Sequence, residues 1–208
     1  MKTSAVISVC KNRIGSFLIS FLLLSLSLFL GPTARGQHRI GVTVRPGISF
    51  ATTEVYHADI NWGWGFEGSL SYRVLPHIAA YAGWGWNTFS ADESFAGNDV
   101  DLEETGYAVG FRFVHSLGHE LPFDYFLRGA LIISHLQIEN GEGDIVAESG
   151  YGAGFQVEAG LSFAVGERWY LIPGVKYQTL SREIAFEGLR YRVDLNFLSV
   201  GVNVCRTF

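Results

Sequence analysis

The sequence contains few prolines, which interrupt regular secondary structure, few flexible methionines and few cysteines for cross-links. Its 208 residues include 5 prolines, 1 methionine and 2 cysteines. Cys10 lies in a segment that we expect to be removed. Cys205 is then alone, so the mature fold must hold without a disulfide of its own. Charged residues make up only 17% of the chain, and Asp and Glu outnumber Lys and Arg by 20 to 15. This acidic balance argues against a nucleic-acid partner.

The first 36 residues have the pattern of a secretory signal peptide. Basic residues precede an unbroken apolar and serine-rich run over 14–30, and small residues follow it. Ala34 and Gly36 suit the minus three and minus one positions of a cleavage site, so we predict a signal peptide over 1–36 and a mature domain over 37–208. An uncleaved anchor is the alternative. Cleavage removes four cations and no acid, which changes the formal net charge from −5 to −9.

After residue 37 the apolar residues recur at every second position, which is the period of a β-strand. We predict eight strands, over residues 39–50, 60–74, 78–89, 104–115, 123–135, 149–164, 168–180 and 189–208. In the last strand the apolar residues change from odd to even positions. We expect a β-bulge near Phe197 and Leu198 to keep them on one face.

The connections between these strands alternate in length. The short ones are 75–77, 116–122 and 165–167, and the long ones are 51–59, 90–103, 136–148 and 181–188. The short ones cannot carry a crossover between parallel strands, and none of the connections has helical periodicity. The sequence therefore predicts an all-β, antiparallel up-and-down fold with one plain end and one end of long loops.

Eight meandering strands fit either a soluble barrel with an apolar interior or a membrane barrel with an apolar exterior. The central parts of the apolar faces carry no charged residue and are crowded with rings too bulky for the bore of eight strands. Such a surface suits lipid, so we predict an eight-stranded antiparallel up-and-down transmembrane β-barrel. Its interfacial girdle would contain Trp62, Trp84, Trp86, Tyr107, Phe163, Trp169 and Tyr177.

The polar faces combine glycines with charges of both signs. Buried charges are tolerated when they are paired, and a bore of this size is filled by side chains. We therefore predict a lumen ion network that plugs the barrel, with a conducting pore as the alternative. Its members are Arg45, Glu67, Arg73, Arg112, Asp124, Arg128, Glu158 and Lys176.

The C-terminus carries the most specific signal. Phe208 ends the chain after Val200, Val202 and Val204 at alternate positions, and this resembles the C-terminal assembly signal of bacterial outer membrane barrels. The mature chain is similar to the small eight-stranded OmpA/OmpX-type barrels. Arg206 departs from that pattern, in which an apolar residue usually stands two places before the terminal aromatic. The resemblance implies export to the outer membrane of a Gram-negative type envelope, recognition by the insertion machinery, periplasmic termini and long loops outside the cell.

A fold shared by many activities does not assign one. We expect a non-enzymatic barrel with a structural, adhesive or envelope-integrity role. It would be a monomer among outer membrane lipids and lipopolysaccharide, without a cofactor.

Two other functions remain as alternatives. One is an OmpW-like conduit for small apolar solutes, for which we expect four apolar residues to face inward: Phe126, Ile132, Tyr170 and Ile172. The other is a barrel enzyme that modifies lipid A. Its nearest candidates are Ser134 and His135, but neighbouring residues on a strand point to opposite faces.

Two clusters contain residue types that bind metals. His115, His119 and Glu120 share one turn, but polar turn composition explains them and we assign no metal site there. The long loops are acidic, with Asp92, Glu93, Asp99, Asp101, Glu103, Glu104, Glu139, Glu142, Asp144 and Glu148. Carboxylates suit Ca²⁺ or Mg²⁺, which would link this rim to anionic lipid headgroups, whereas simple solvation of the loops is the alternative.

Overall fold

The structure, a computed structural model, describes residues 39–53, 60–94, 97–116, 118, 121–186 and 189–208. The predicted signal peptide, with Cys10 and its cleavage site, lies outside these residues. All regular secondary structure in the described part is β-strand. The strands are β1 Ile40–Ala51, β2 Ile60–Leu75, β3 Ile78–Ser94, β4 Gly97–Ser116, β5 Phe123–Glu139, β6 Ile145–Glu148, β7 Gly152–Ala164, β8 Trp169–Phe186 and β9 Leu189–Thr207. No helix long and apolar enough to cross a membrane occurs in these ranges.

The strands close into a ring in which every pairing is antiparallel. The order β4-β3-β2-β1-β9-β8-β7-β5 is closed by pairing of β4 with β5. The short β6 pairs with the end of β5, and Ser149 bridges to β8 at Ile184, so β6 extends the position of β7 in the ring. The ring therefore has eight positions, and the predicted eight-stranded up-and-down barrel is confirmed. In the described residues the eight-position ring has no free edge, which lets the backbone satisfy its own hydrogen bonds in lipid.

The long connections 90–103, 136–148 and 181–188 are mostly paired strand, and here the prediction of long loops is wrong, while most of 51–59 lies outside the described residues. β3 and β4 continue to the register pair Ser94 and Gly97, and β8 and β9 continue to the pair Phe186 and Leu189. Apolar and polar residues still alternate in these acidic segments. The apolar ones that point inward are buried: Val100, Leu102, Leu136, Ile138 and Val193. These extended hairpins stand at one end of the barrel. The short turns, the start of β1 and the end of β9 lie at the other end.

The apolar faces point outward, as predicted. Leu131 is 72% exposed, Val109 64% and Phe111 63%, and Trp64 and Trp84 also lie on the outside. Trp64 and Trp86 meet edge to face on this surface with ring centroids 4.9 Å apart. An outer wall of this kind is stable in hydrocarbon and would aggregate in water.

The predicted bulge in the last strand is absent. β9 pairs with β8 in unbroken register from Arg206 to Leu189, so its odd and even residues keep opposite faces throughout. Leu195 and Phe197 accordingly point inward and are fully buried, whereas Leu198 faces outward. The change of apolar phase reflects a change in what the lumen contains: its upper part, near the long hairpins, is apolar.

Candidate functional site

The middle of the lumen is crossed by a network of buried charges. Glu67 on β2 and Glu158 on β7 both bind Arg128 of β5, with N–O distances of 2.9 Å in each case. Arg45 of β1 donates from Nε to Glu158 at 2.8 Å. Lys176 of β8 lies 3.6 Å from Glu67. The network therefore links five strands across the bore, and its side chains are at most 4% exposed.

Neutral polar groups supply further hydrogen bonds to these charges. Asn203 donates to Glu158 at 2.7 Å, and Gln156 donates to Glu67 at 3.1 Å. The guanidinium of Arg45 also donates to the hydroxyl and the carbonyl oxygen of Ser199, at 3.1 and 2.9 Å. The guanidinium of Arg128 stacks over the ring of Tyr81, 4.8 Å from its centroid. Buried charges with this many partners repay much of the cost of their desolvation.

Apolar side chains fill the lumen between this network and the long hairpins. Phe89 and Phe197 meet edge to face with centroids 5.1 Å apart, and both are fully buried. Around them pack Leu102, Ile132, Leu136, Ile138, Leu180, Ile184, Val193 and Leu195. Beside this cluster, Arg182 donates to the carbonyl oxygen and hydroxyl of Ser134 at 2.9 and 3.0 Å.

The short-turn end of the lumen is arranged differently. Phe126, Ile172 and Cys205 form a second buried apolar cluster, against which Val114 and Tyr170 pack. Beyond Ile172 and Cys205 lies a cavity of about 310 Å³, bordered by residues of the short turns.

The structure brings together five of the eight predicted network members. Arg73, Arg112 and Asp124 face the lumen but line the cavity at the short-turn end, and none of them makes an ion pair among the described residues. Arg73 and Asp124 sit near the ends of their strands, whereas Arg112 lies further in, opposite Arg128 in the register. Alternation alone places a residue on the inner face and says nothing about its depth in the bore, which is why the sequence prediction merged two separate groups.

Sequence reasoning missed the neutral partners of the network. Tyr81, Gln156, Ser199 and Asn203 all lie on predicted inward faces, so their alternation was a usable signal. Tyr81 is one exception to the rule that rings face lipid, and it is held inside by Arg128 above its ring and by Gln156, which donates to its hydroxyl at 3.3 Å. Phe89 and Phe197 break the same rule in the apolar upper lumen.

The residues of the predicted assembly signal lie on the outer wall. Val200, Val202 and Val204 face outward with roughly half or less of their surface exposed, and their role in assembly stays a prediction. Arg206 places its guanidinium over the rings of Trp169 and Phe208, 5.4 and 4.8 Å from the centroids. The two rings therefore accommodate a cation at a position where an apolar residue is usual.

The other candidate groups are not assembled into a catalytic site. Ser134 is buried in the lumen against Arg182, while His135 faces outward with its ring 4.7 Å from that of Tyr151. The ring of His115 packs against that of His77, with centroids 4.6 Å apart, where both border the cavity at the short-turn end, and His119 and Glu120 lie outside the described residues. Among the described residues no three His, Cys, Asp or Glu side chains are grouped to hold a metal ion.

The predicted acidic rim divides between two faces. Glu104 points into the lumen and accepts a hydrogen bond from Asn87 at 2.7 Å. Asp101, Glu103 and Glu139 instead share the outer face of the β4–β5 pair, beyond the girdle. Partial burial raises the pKa of Glu139, and the neighbouring carboxylates Glu103 and Asp101 raise it further. The side chains of residues 92, 93 and 99 lie outside the described part, and cation binding by the rim stays a prediction.

Several solved structures share this fold. Neisserial surface protein A is 15% identical, with a TM-score of 0.56 over 81% of this chain and 97% of that chain. OprG from Pseudomonas aeruginosa is 10% identical, with a TM-score of 0.55 over 83% and 99%. The outer membrane protein AlkL, determined in DMPC lipid bilayers, is 11% identical, with a TM-score of 0.54 over 86% and 94%. At such identities the likeness concerns the fold alone. No curated protein matches the sequence at a significant level.

The sequence itself assigns the family. The profile of the outer membrane protein beta-barrel domain matches residues 21–204, which is most of the chain. This match agrees with the closed ring, the apolar outer wall and the solved barrels that share the fold. The protein is therefore one of the cell outer membrane, and the chain belongs to the family of outer membrane protein beta-barrel domains.

Proposed function

We propose that this protein is a closed, structural barrel that contributes to the integrity or adhesive surface of the outer membrane without conducting solutes. The observation that carries the proposal is the filled lumen. Arg128 bridges Glu67 and Glu158 across the bore, and buried apolar side chains close the lumen on both sides of this network. An ion would have to break buried pairs to pass, which costs several kcal/mol, on the order of 3–5.

Planar bilayer recording tests this directly. The purified protein should give no stable current steps, because the ion network and the apolar clusters block the bore. A double substitution that empties the lumen, Arg128→Ala with Phe197→Ala, is the positive control and should give measurable current. Stable steps of uniform size from the unmodified protein would refute the proposal.

The apolar outer wall supports the proposal that the membrane-spanning part interacts mainly with lipid. Its exposed side chains are apolar around the ring, and the barrel closes on itself by pairing of β1 with β9. We infer a monomer that is inserted through its C-terminal strand and held by outer membrane lipids and lipopolysaccharide. Native mass spectrometry from detergent should show a single chain, and folded protein should shift in gel migration after boiling.

A conduit for small apolar solutes is the second candidate, favoured by the apolar upper lumen. Two of the four residues expected to line it, Phe126 and Ile172, belong instead to the apolar cluster at the short-turn end, against which Tyr170 packs. Ile132 does belong to the upper cluster. If the upper lumen transmits solutes, Leu195→Ala should increase uptake of a hydrophobic dye by cells, and Leu198→Ala on the outer wall should not. Equal uptake by both variants and the unmodified protein would remove this candidate.

A non-catalytic role is part of the proposal. Ser134 and His135 support this part, because they point to opposite faces of β5 and their side chains cannot act on the same substrate atom. Mass spectrometry of lipid A from expressing and non-expressing cells should show the same acyl pattern. A lipid A species that appears only with the protein, and disappears with Ser134→Ala, would overturn this part.

A further inference from the structure

We propose that the cavity at the short-turn end binds an oxyanion that carries a short apolar group, such as a phosphate monoester. The cavity holds about 310 Å³, which is the size of a small ligand site. Two of its lining residues are arginines, Arg73 and Arg112, and one is an acid, Asp124. The site is distinct from the ion pairs of the network, because Arg112 stands opposite Arg128 in the register but pairs with neither Glu67 nor Glu158.

The two arginines of the cavity lack the anions that the network arginines have. Arg45 and Arg128 each bind a buried glutamate at 2.8 to 2.9 Å. Arg112 instead donates to the Sγ of Cys205 at 3.6 Å, and a thiol is a weak acceptor. Neither Arg73 nor Arg112 has a carboxylate within ion-pair distance in the described part of the chain. Guanidinium groups recognise phosphate and carboxylate through paired hydrogen bonds, so an oxyanion is the natural partner.

A third group points to the same ligand. Thr207 lines the cavity and is only 6% exposed, and its Oγ1 has no hydrogen-bond partner. A buried hydroxyl without a partner is costly, on the order of 1–3 kcal/mol. The hydroxyl can donate to an oxyanion held by the arginines, which would remove this cost.

One part of the cavity wall is apolar. Ile172 and Tyr170 from β8, Val114 from β4 and the buried thiol of Cys205 line it. A bare inorganic anion would leave this wall in contact with water, whereas a short alkyl or aryl group would cover it. The lining therefore favours an organic phosphate over phosphate itself. The same chemistry is found in soluble phosphate esters and in lipid headgroups.

Calorimetry on the purified full barrel in an uncharged detergent tests the site, with butyl phosphate as the probe. Butyl phosphate should bind saturably and more tightly than inorganic phosphate. Arg73→Gln and Arg112→Gln should each weaken binding about tenfold or more, and Thr207→Val should weaken it several-fold. The control Arg192→Gln changes an exposed arginine on the other end of the barrel, and should leave binding unchanged.

Asp124→Asn separates binding from folding, because it should strengthen binding by removing the one negative charge of the cavity. A misfolded variant would not gain affinity, and the gel shift on boiling reports the fold of each variant. The proposal fails if neither phosphate probe binds saturably to the unmodified protein. It also fails if binding is indifferent to Arg73→Gln, Arg112→Gln and Asp124→Asn.

A short-chain phosphatidic acid distinguishes the two sources of such a ligand. If it displaces butyl phosphate, the site takes a lipid headgroup. If it does not, and butyl phosphate still binds, the site takes a soluble ester from the periplasm. Both outcomes support the site.

Discussion

Glu158 is the residue on which most of the lumen network depends. It accepts hydrogen bonds from Arg45 and Asn203 and forms an ion pair with Arg128, and its side chain is 1% exposed. Replacing it with glutamine leaves the guanidinium of Arg45 without an anion and that of Arg128 with Glu67 alone, where water cannot reach them. We expect Glu158→Gln to reduce the free energy of unfolding by about 3–5 kcal/mol, measured by urea titration of protein folded in lipid vesicles.

The same substitution on an exposed ion pair is the control for this prediction. Glu183 lies 3.5 Å from Arg190, and both side chains are mostly exposed on the long hairpins. Glu183→Gln should change the free energy of unfolding by less than about 1 kcal/mol. Equal losses for the two variants would mean that the lumen is hydrated and the network is not buried.

At the residue scale, the sequence predicts which face of the sheet each charged residue occupies, but it does not predict which residues that side chain contacts. Alternation places Arg45 and Glu158 on inner faces, yet they lie 113 positions apart in the chain. Their pairing depends on the tilt and register of the strands around the barrel. The same limit explains Arg73, Arg112 and Asp124. The face that each of them occupies was predictable, whereas which side chains reach the glutamates of the network depends on the three-dimensional arrangement of the strands.

At the scale of the strand, β9 shows why alternation can mislead. Its upper half carries apolar residues on the inner face and its lower half on the outer face, and the assumption that all apolar residues meet lipid required a bulge between them. Leu195 and Leu198 are the matched pair that distinguishes the two interpretations, since one is fully buried in the lumen and the other is 40% exposed on the wall.

We expect Leu195→Ala to cost more stability than Leu198→Ala. The lumen cannot collapse around the lost side chain, so a cavity adds to the lost burial and the total should be about 2–5 kcal/mol. Lipid tails fill the space left on the wall, and the loss there should be about 1–2 kcal/mol, from burial alone. Urea titration in vesicles gives both values. Equal losses would favour a bulge that turns both residues to lipid.

The extension of the β4–β5 pair beyond the membrane makes a pH-dependent prediction. The pKa of Glu139 is raised in the folded protein by partial burial and by Glu103 and Asp101, so its ionised form opposes folding. The stability of the protein should therefore rise as the pH falls through this raised pKa. Glu139→Gln removes the repulsion and should raise the melting temperature near pH 7. The gain should vanish below the ordinary glutamate value of 4.5, where both states are protonated.

Thermal melts at several pH values measure this difference. Glu142→Gln, an exposed acid of the turn between β5 and β6, is the control and should give parallel melting curves at every pH. A loss of stability in Glu139→Gln at pH 7 would indicate that this carboxylate has an attractive partner, such as a bound divalent cation.

At the scale of the whole molecule, the ring is completed where the first strand meets the last. This closure could be expected from the sequence, because a membrane sheet with a free edge is unstable. The existence of eight positions was also predictable, since eight apolar alternations are separated by turn residues. The paired hairpins above the membrane and the short β6 were not, because their acidic composition is typical of loops and their pairing depends on the neighbouring strands.

The seam between β1 and β9 offers a direct test of both closure and facing. Thr43 stands opposite Cys205 in the register, and both side chains point into the lumen and are buried. Directly opposed residues of antiparallel strands fall within the Cα separation that a disulfide spans. We therefore expect Thr43→Cys to form a disulfide with the native Cys205 on mild oxidation.

This disulfide would join the first strand to the last and close a loop that contains nearly the whole mature chain. It should raise the free energy of unfolding by up to about 5 kcal/mol, and a reducing agent should abolish the gain. Val44→Cys is the matched control, because residue 44 is next along β1 but faces lipid opposite Val204, and it should leave both thiols free. Thiol titration of the unfolded chains measures the bond. Free thiols in oxidised Thr43→Cys, or a disulfide in Val44→Cys, would contradict the register by which the barrel closes.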